Sequence, residues 1–227
     1  MLSPAEDRIK RLLSERAYTS VLDLCEQDRR FWKALRSSLN EIDESVRWPA
    51  IEAVAMLMQR WWQKGHTESV YEYMRRLFWS LSDESGEIGW SAPQVIAETI
   101  IRIPELFEPF ASMMICLSLE EPALLKSGLW AIGRLGKRIT AIAALNQDKI
   151  LTAFNNNDPW NVALAAWATG EMGFTPALPF LNSLLNKEER IPIYVNGQFY
   201  EKTVAQWAAS AIIKINTCLG YDNTHSF

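Results

Sequence analysis

Histidine is almost missing from this chain. His66 and His225 are the only two in 227 residues; the first stands beside Gly65 in a segment that reads as a turn between helices, and the second belongs to the last few residues. A histidine-dependent catalytic triad, or a zinc site of the usual Cys/His kind, is therefore hard to assemble. Cysteine is scarce too. Cys25, Cys116 and Cys218 lie far apart among apolar neighbours, so neither a disulfide framework nor a CxxC metal site is indicated, and all three read as reduced packing residues. No GxGxxG, P-loop or GxSxG pattern occurs. No apolar run approaches the roughly 18 uncharged residues of a membrane span, and Glu6 and Asp7 put acids where a secretory signal would begin with basic residues. The expectation is a cytoplasmic protein that needs no cofactor or metal and does not enter a membrane.

A charge of one sign is also lacking. Lys plus Arg is 23 and Asp plus Glu is 27, a net charge of −4, which exerts no general pull on phosphate backbones and argues against nucleic acid as partner. What the chain does have is 48% hydrophobic residues and ten tryptophans, enough for the core of one large domain or of a short repeat array.

Helix punctuation recurs along it. Ser3-Pro4-Ala5-Glu6 combines a cap residue, a first-turn proline and a glutamate three after the cap. Pro49, Pro93, Pro104, Pro122, Pro159 and Pro176 each precede an apolar segment with helical spacing and read as first-turn prolines. Within these helices the sequence repeats itself. Gly128 to Gly136, centred on Trp130, matches Ala165 to Gly173, centred on Trp167, in the pattern small, x, Trp, Ala, x, Gly, x, Leu/Met, Gly. Trp207 continues the register, and Ile96 and, more loosely, Glu52 extend it backwards, giving five units spaced 44, 34, 37 and 40 residues apart. Polar unit starts at Asp43, Asp83 and Asp158 can cap the helices that follow, and the small residues let the next layer approach closely.

These units resemble HEAT-like repeats, especially the short type named after phycobilisome-lyase proteins. The likeness rests on Asp43 with Val46-Arg47, on Asp158-Pro159 with Val162, and on the Ala/Gly-rich segments around Trp130 and Trp167, and it covers roughly residues 40–220. It implies an all-α fold, an α-α superhelix whose inner helices carry the tryptophans. Residues 1–220 then form one repeat domain and 221–227 a flexible tail. One segment breaks the helical rule: Ile191 to Tyr200 is β-rich and centred on Asn196-Gly197, which predicts a small hairpin inserted at about 191–200.

Candidate sites follow from this frame. The tryptophan column can line a groove for an aromatic ligand, a peptide or a flipped base, or it can simply fill the core. The loop from Ser82 to Trp90 is the most distinctive, with Asp83, Glu84 and Glu87 beside two glycines and Trp90 at its end. Its carboxylates suit recognition or acid/base work, and equally suit helix capping. Arg102, Arg134 and Glu171 fall near the exposed edges of successive units, as a charged row for a partner or as an ordinary solvated face. Trp160 sits beside a loop. The leading expectation is a non-catalytic module that binds another protein through its concave face and the 83–90 loop. The resemblance also admits a lyase-type protein acting on a tetrapyrrole, and the general architecture admits a HEAT-like DNA alkylation-repair glycosylase.

Overall fold

The computed structural model of the chain describes residues 3–81 and 89–222, and its contacts fall into two compact units, residues 1–108 and 109–227. In the first, helices α1 (Pro4–Ser14), α2 (Tyr18–Gln27) and α3 (Arg29–Ser37) lead into the long α4 (Glu44–Gln63), followed by α5 (Thr67–Leu81) and α6 (Ala92–Arg102). α1 opens on the expected capping box: the Glu6 amide donates to the Ser3 hydroxyl at 3.3 Å and the Ser3 amide donates to the Glu6 carboxylate at 2.7 Å. His66 does fall in a turn, where Gly65 takes φ 84° between α4 and α5.

Pro49 is a correction. It was expected in a first turn, yet α4 begins at Glu44 and carries Pro49 in its interior. The start is set earlier by Asp43, whose carboxylate accepts the Ser45 amide and hydroxyl at 2.8 and 2.7 Å. An interior proline forfeits one backbone hydrogen bond and crowds a carbonyl, a cost of about 3 kcal/mol. The buried run from Val46 to Met58, against α1 and α6, offsets it. The other prolines behave as helix openers: Pro93 and Pro159 lie in the first turns of their helices, and Pro104, Pro122 and Pro176 lie in short 3-10 turns that run directly into helices.

The second unit contains α7 (Phe107–Glu120, which begins at the boundary), α8 (Leu125–Leu135), α9 (Thr140–Ala144), α10 (Gln147–Thr152), α11 (Pro159–Met172) and α12 (Leu178–Ser183). The hairpin β1 (Arg190–Val195) and β2 (Gln198–Thr203) precedes α13 (Val204–Asp222). α13 thus runs past Gly220, where the tail was expected to start, and residues 223–227 lie outside the described ones. Asp158 caps α11 by accepting the Trp160 amide at 3.0 Å. Every residue from Asn161 to Gly170 is buried, because α11 is packed between α8 and α13. The repeated glycines make that packing possible. A side-chain carbon on Gly133 would stand 2.6 Å from the ring of Trp167, and one on Gly170 would stand 2.7 Å from the Cα of Ala211. The all-α repeat fold with one antiparallel hairpin is as expected. Among the described residues, no helix is long and apolar enough to cross a membrane.

Gly133→Ala and Gly170→Ala should each lower stability by about 1–3 kcal/mol, because the forced shift outweighs alanine's better helix propensity of about 1 kcal/mol. Gly220→Ala, with nothing within 4 Å of its new carbon, should leave the thermal midpoint unchanged or slightly higher. Thermal unfolding followed by circular dichroism compares the three, and a neutral Gly133→Ala would refute the close-packing account.

Candidate functional site

The tryptophan column belongs to the core. Trp130, Trp167 and Trp207 are only 3, 6 and 4% exposed, and the hairpin is bonded to the first and last of them. The Trp130 indole N–H donates to the Tyr194 carbonyl at 2.7 Å, and the Trp207 indole N–H donates to the Ile191 carbonyl at 3.0 Å. Strand β1 is therefore fastened at both ends to helices α8 and α13, with the rings of Trp130 and Trp167 6.2 Å apart beneath it. The turn explains why the hairpin forms at this point. Asn196 and Gly197 take φ of 50° and 87°, a type I′ turn, and Val195 pairs with Gln198 across it. A two-stranded hairpin is marginal alone, and the indoles supply its anchorage.

Within the second unit, Trp160 and Glu171 do not come together. Trp160 and Glu171 occupy opposite ends of α11, about 16 Å apart at the helical rise. Trp160 is half-buried, with the Lys126 ammonium 5.7 Å above its ring and paired to Asp158 at 2.7 Å. Burial opposes ionisation of Asp158, but the Lys126 bond and the Trp160 amide prevail and hold its carboxyl below the ordinary value. Glu171 is ion-paired with Lys214 of α13, and Arg134 is half-buried in the last turn of α8. In the first unit, Arg102 is committed to the buried Glu98 one turn earlier in α6. Asp83, Glu84 and Glu87 lie outside the described residues.

Trp90 is different. It is 65% exposed, in the turn before α6, and it borders a hollow of about 670 Å³ in the first unit. Ile42, 94% exposed in the link between α3 and α4, is another of its lining residues. Leu39, Leu77 and Ala92 add apolar wall, while Asn40, Ser80, Ser91, Arg36 and Arg47 bring polar groups. The Ser91 hydroxyl donates to the Leu39 carbonyl at 2.8 Å, tying the segment before α6 to the 3-10 turn after α3. Arg36 is held by an aromatic surface, with its guanidinium carbon 5.4 Å from the ring of Trp32. Trp32 in turn meets Trp61 and Tyr73 edge-on at 5.6 and 5.2 Å. Burial pushes the Tyr73 phenol far above its ordinary value, and the nearby Arg36 charge pulls it partly back. Arg36 and Ile42 were not singled out from sequence, and Arg47 only as part of the repeat pattern. The available signal was an isolated isoleucine between Glu41 and Asp43 in a short polar link.

Among the described residues, no group of three or more His, Cys, Asp or Glu side chains is placed to hold a metal ion. The cysteines are free; Cys25 is buried, and Cys116 and Cys218 are half-buried rather than fully packed. Burial, with Glu26 adding to it, pushes the Cys25 thiol up to about 12.

Two outcomes follow. Trp130→Phe should cost about 1–3 kcal/mol, the price of leaving the buried Tyr194 carbonyl without its indole donor, and hydrogen exchange should rise in residues 190–203 before it rises in α11. At pH 8, iodoacetamide should label Cys116 and Cys218 in the folded protein while Cys25 stays unmodified until denaturant is added, as peptide mass spectrometry would show.

No protein-family model matches the chain, and no curated protein matches it in sequence. Solved structures do resemble it. The designed armadillo repeat protein YIII(Dq)4CqI is similar at a TM-score of 0.57 with 17% identity, over 93% of each chain. The designed armadillo repeat protein YIII(Dq.V1)4CPAF, in complex with the peptide (KR)4, is similar at 0.56 with 19% identity over 91% of each. An archaeal HEAT-like repeats protein from Thermococcus onnurineus NA1 matches at 0.44 with 14% identity, over 96% of this chain and 82% of that one. At these identities the likeness concerns the fold: the chain has the armadillo/HEAT-like helical-repeat architecture.

Proposed function

We propose that this protein is a non-catalytic, cytoplasmic repeat module that binds another protein, and that the hollow bordered by Trp90 and Ile42 is its contact surface. The observation that carries this reading is the exposure of those two large apolar side chains around one concavity. Exposed apolar groups gathered at one place, with polar groups interleaved, are the usual form of a contact surface. Asp83, Glu84 and Glu87 adjoin Trp90 in the sequence and are proposed with it as partner-binding residues. The designed neighbour in complex with (KR)4 illustrates that this architecture accepts a peptide. Free cysteines fit a reducing compartment. The tetrapyrrole and flipped-base readings both draw on the tryptophan column as an open wall, and the burial of its three rings weighs against them.

The test is affinity capture of a partner from lysate of the source organism, read by mass spectrometry. Wild-type protein should retain a stoichiometric partner. Trp90→Ala should lose most of it, while the thermal midpoint moves by no more than about 2 °C. A large fall in the midpoint for Trp90→Ala would assign the ring to the core instead.

A further inference from the structure

We propose that the hollow beside Trp90 selects partner segments that carry a carboxylate side chain next to a large apolar one, with Arg36 as the residue that reads the carboxylate. This inference rests on the protein-binding reading above and names the chemistry of the partner.

One charge in the hollow is not compensated. Among the described residues, three charged side chains line the hollow: Arg36, Glu41 and Arg47. Glu41 is neutralised by Lys10 at 2.6 Å and Arg47 by Glu44 at 2.8 Å. Arg36 has no such partner. Among the described residues its guanidinium forms no ion pair and no hydrogen bond; its one contact of note is the face of Trp32. The Nε–H groups of both Arg36 and Arg47 are buried without an acceptor. An arginine half-removed from water normally recovers its lost solvation from a carboxylate, and the planar donor fork suits that group's two oxygens. Here the indole of Trp32 fixes the guanidinium in place while leaving its donors unspent, so little ordering remains to be done when an acceptor arrives. Leu39 and Leu77, buried in the wall of the same hollow, lower the local dielectric, which strengthens the pairing. The same walls supply apolar contact for a neighbouring leucine, isoleucine or aromatic side chain. A segment of alternating or adjacent acidic and apolar residues fits both demands, and a basic peptide fits neither.

The experiment is selection of a displayed library of random peptides on the full-length protein, followed by fluorescence anisotropy of enriched sequences. The expected result is enrichment of Asp or Glu next to Leu, Ile, Phe or Trp. Replacing the enriched acid by its amide should weaken binding by about tenfold to a hundredfold, the range for losing one charge-assisted hydrogen-bonded partner. Arg36→Gln should reduce the acidic peptide to the level of its amide counterpart and leave the amide peptide unaffected. Because Arg36 also packs on Trp32, a second variant guards against a folding artefact. Ile42→Glu, at a site exposed enough to have no part in folding, should weaken both peptides through the lost apolar contact and the acidic one several-fold more than the amide one. Enriched peptides with no acidic bias, or acidic peptides indifferent to both variants, would overturn this inference and leave the protein-binding reading standing. No enrichment at all would overturn both. Displacement of the peptide by N-acetylglutamate at comparable concentration would assign the hollow to a small carboxylate instead of a protein segment.

Discussion

The second unit depends on one steric fit: the ring of Trp167 occupies the volume that a side chain on Gly133 would fill. Because a six-carbon ring edge can sit against bare backbone, α8 and α11 approach closely along their whole contact, and Gly170 gives Ala211 of α13 the same access. Packing at this distance tolerates little error, since interiors are filled to near crystal density. The fit also determines what the tryptophans can do. Once Trp167 is inserted, Trp130 and Trp207 flank it with their indole N–H groups toward the hairpin, and those two donors select the carbonyls of Tyr194 and Ile191.

The first unit solves the same problem with different residues. α4 presents alanines and aliphatics to α6, which is buried from Ala92 to Ile100. Glu98, the buried acid of α6, is matched by Arg102 on its own helix, so no charge is left for a ligand there. The uncompensated group lies elsewhere, at the end of α3, where Arg36 rests on an aromatic surface rather than a carboxylate. Two tactics for a partly buried arginine thus coexist in one unit. Pairing fixes a helix, and stacking leaves donors available.

The charged residues show what sequence spacing leaves open. Arg102, Arg134 and Glu171 hold similar places in the repeat, which suggested a row. Their roles diverge, because the partner of each is set by which lysine, glutamate or neighbouring element stands opposite: Glu98 for Arg102, Lys214 for Glu171. Equivalent positions in a degenerate repeat share backbone geometry without sharing neighbours. The same holds for Pro49, where the cap at Asp43 overrode the preference of proline for a first turn.

By itself the sequence determined the all-α repeat, the register of Trp130, Trp167 and Trp207, the caps at Ser3, Asp43 and Asp158, and the Asn196-Gly197 hairpin. Each of these is local chemistry or a fixed period, written in residues a few positions apart. Only the tertiary structure decided that the tryptophan column is buried and not open, because the strand bonded to Trp130 approaches it from 64 residues away. It alone brought Arg36, Ile42 and Trp90, from three separate segments, around one hollow. Whether a charged side chain is spent or available depends on what faces it across space, and that is settled by packing.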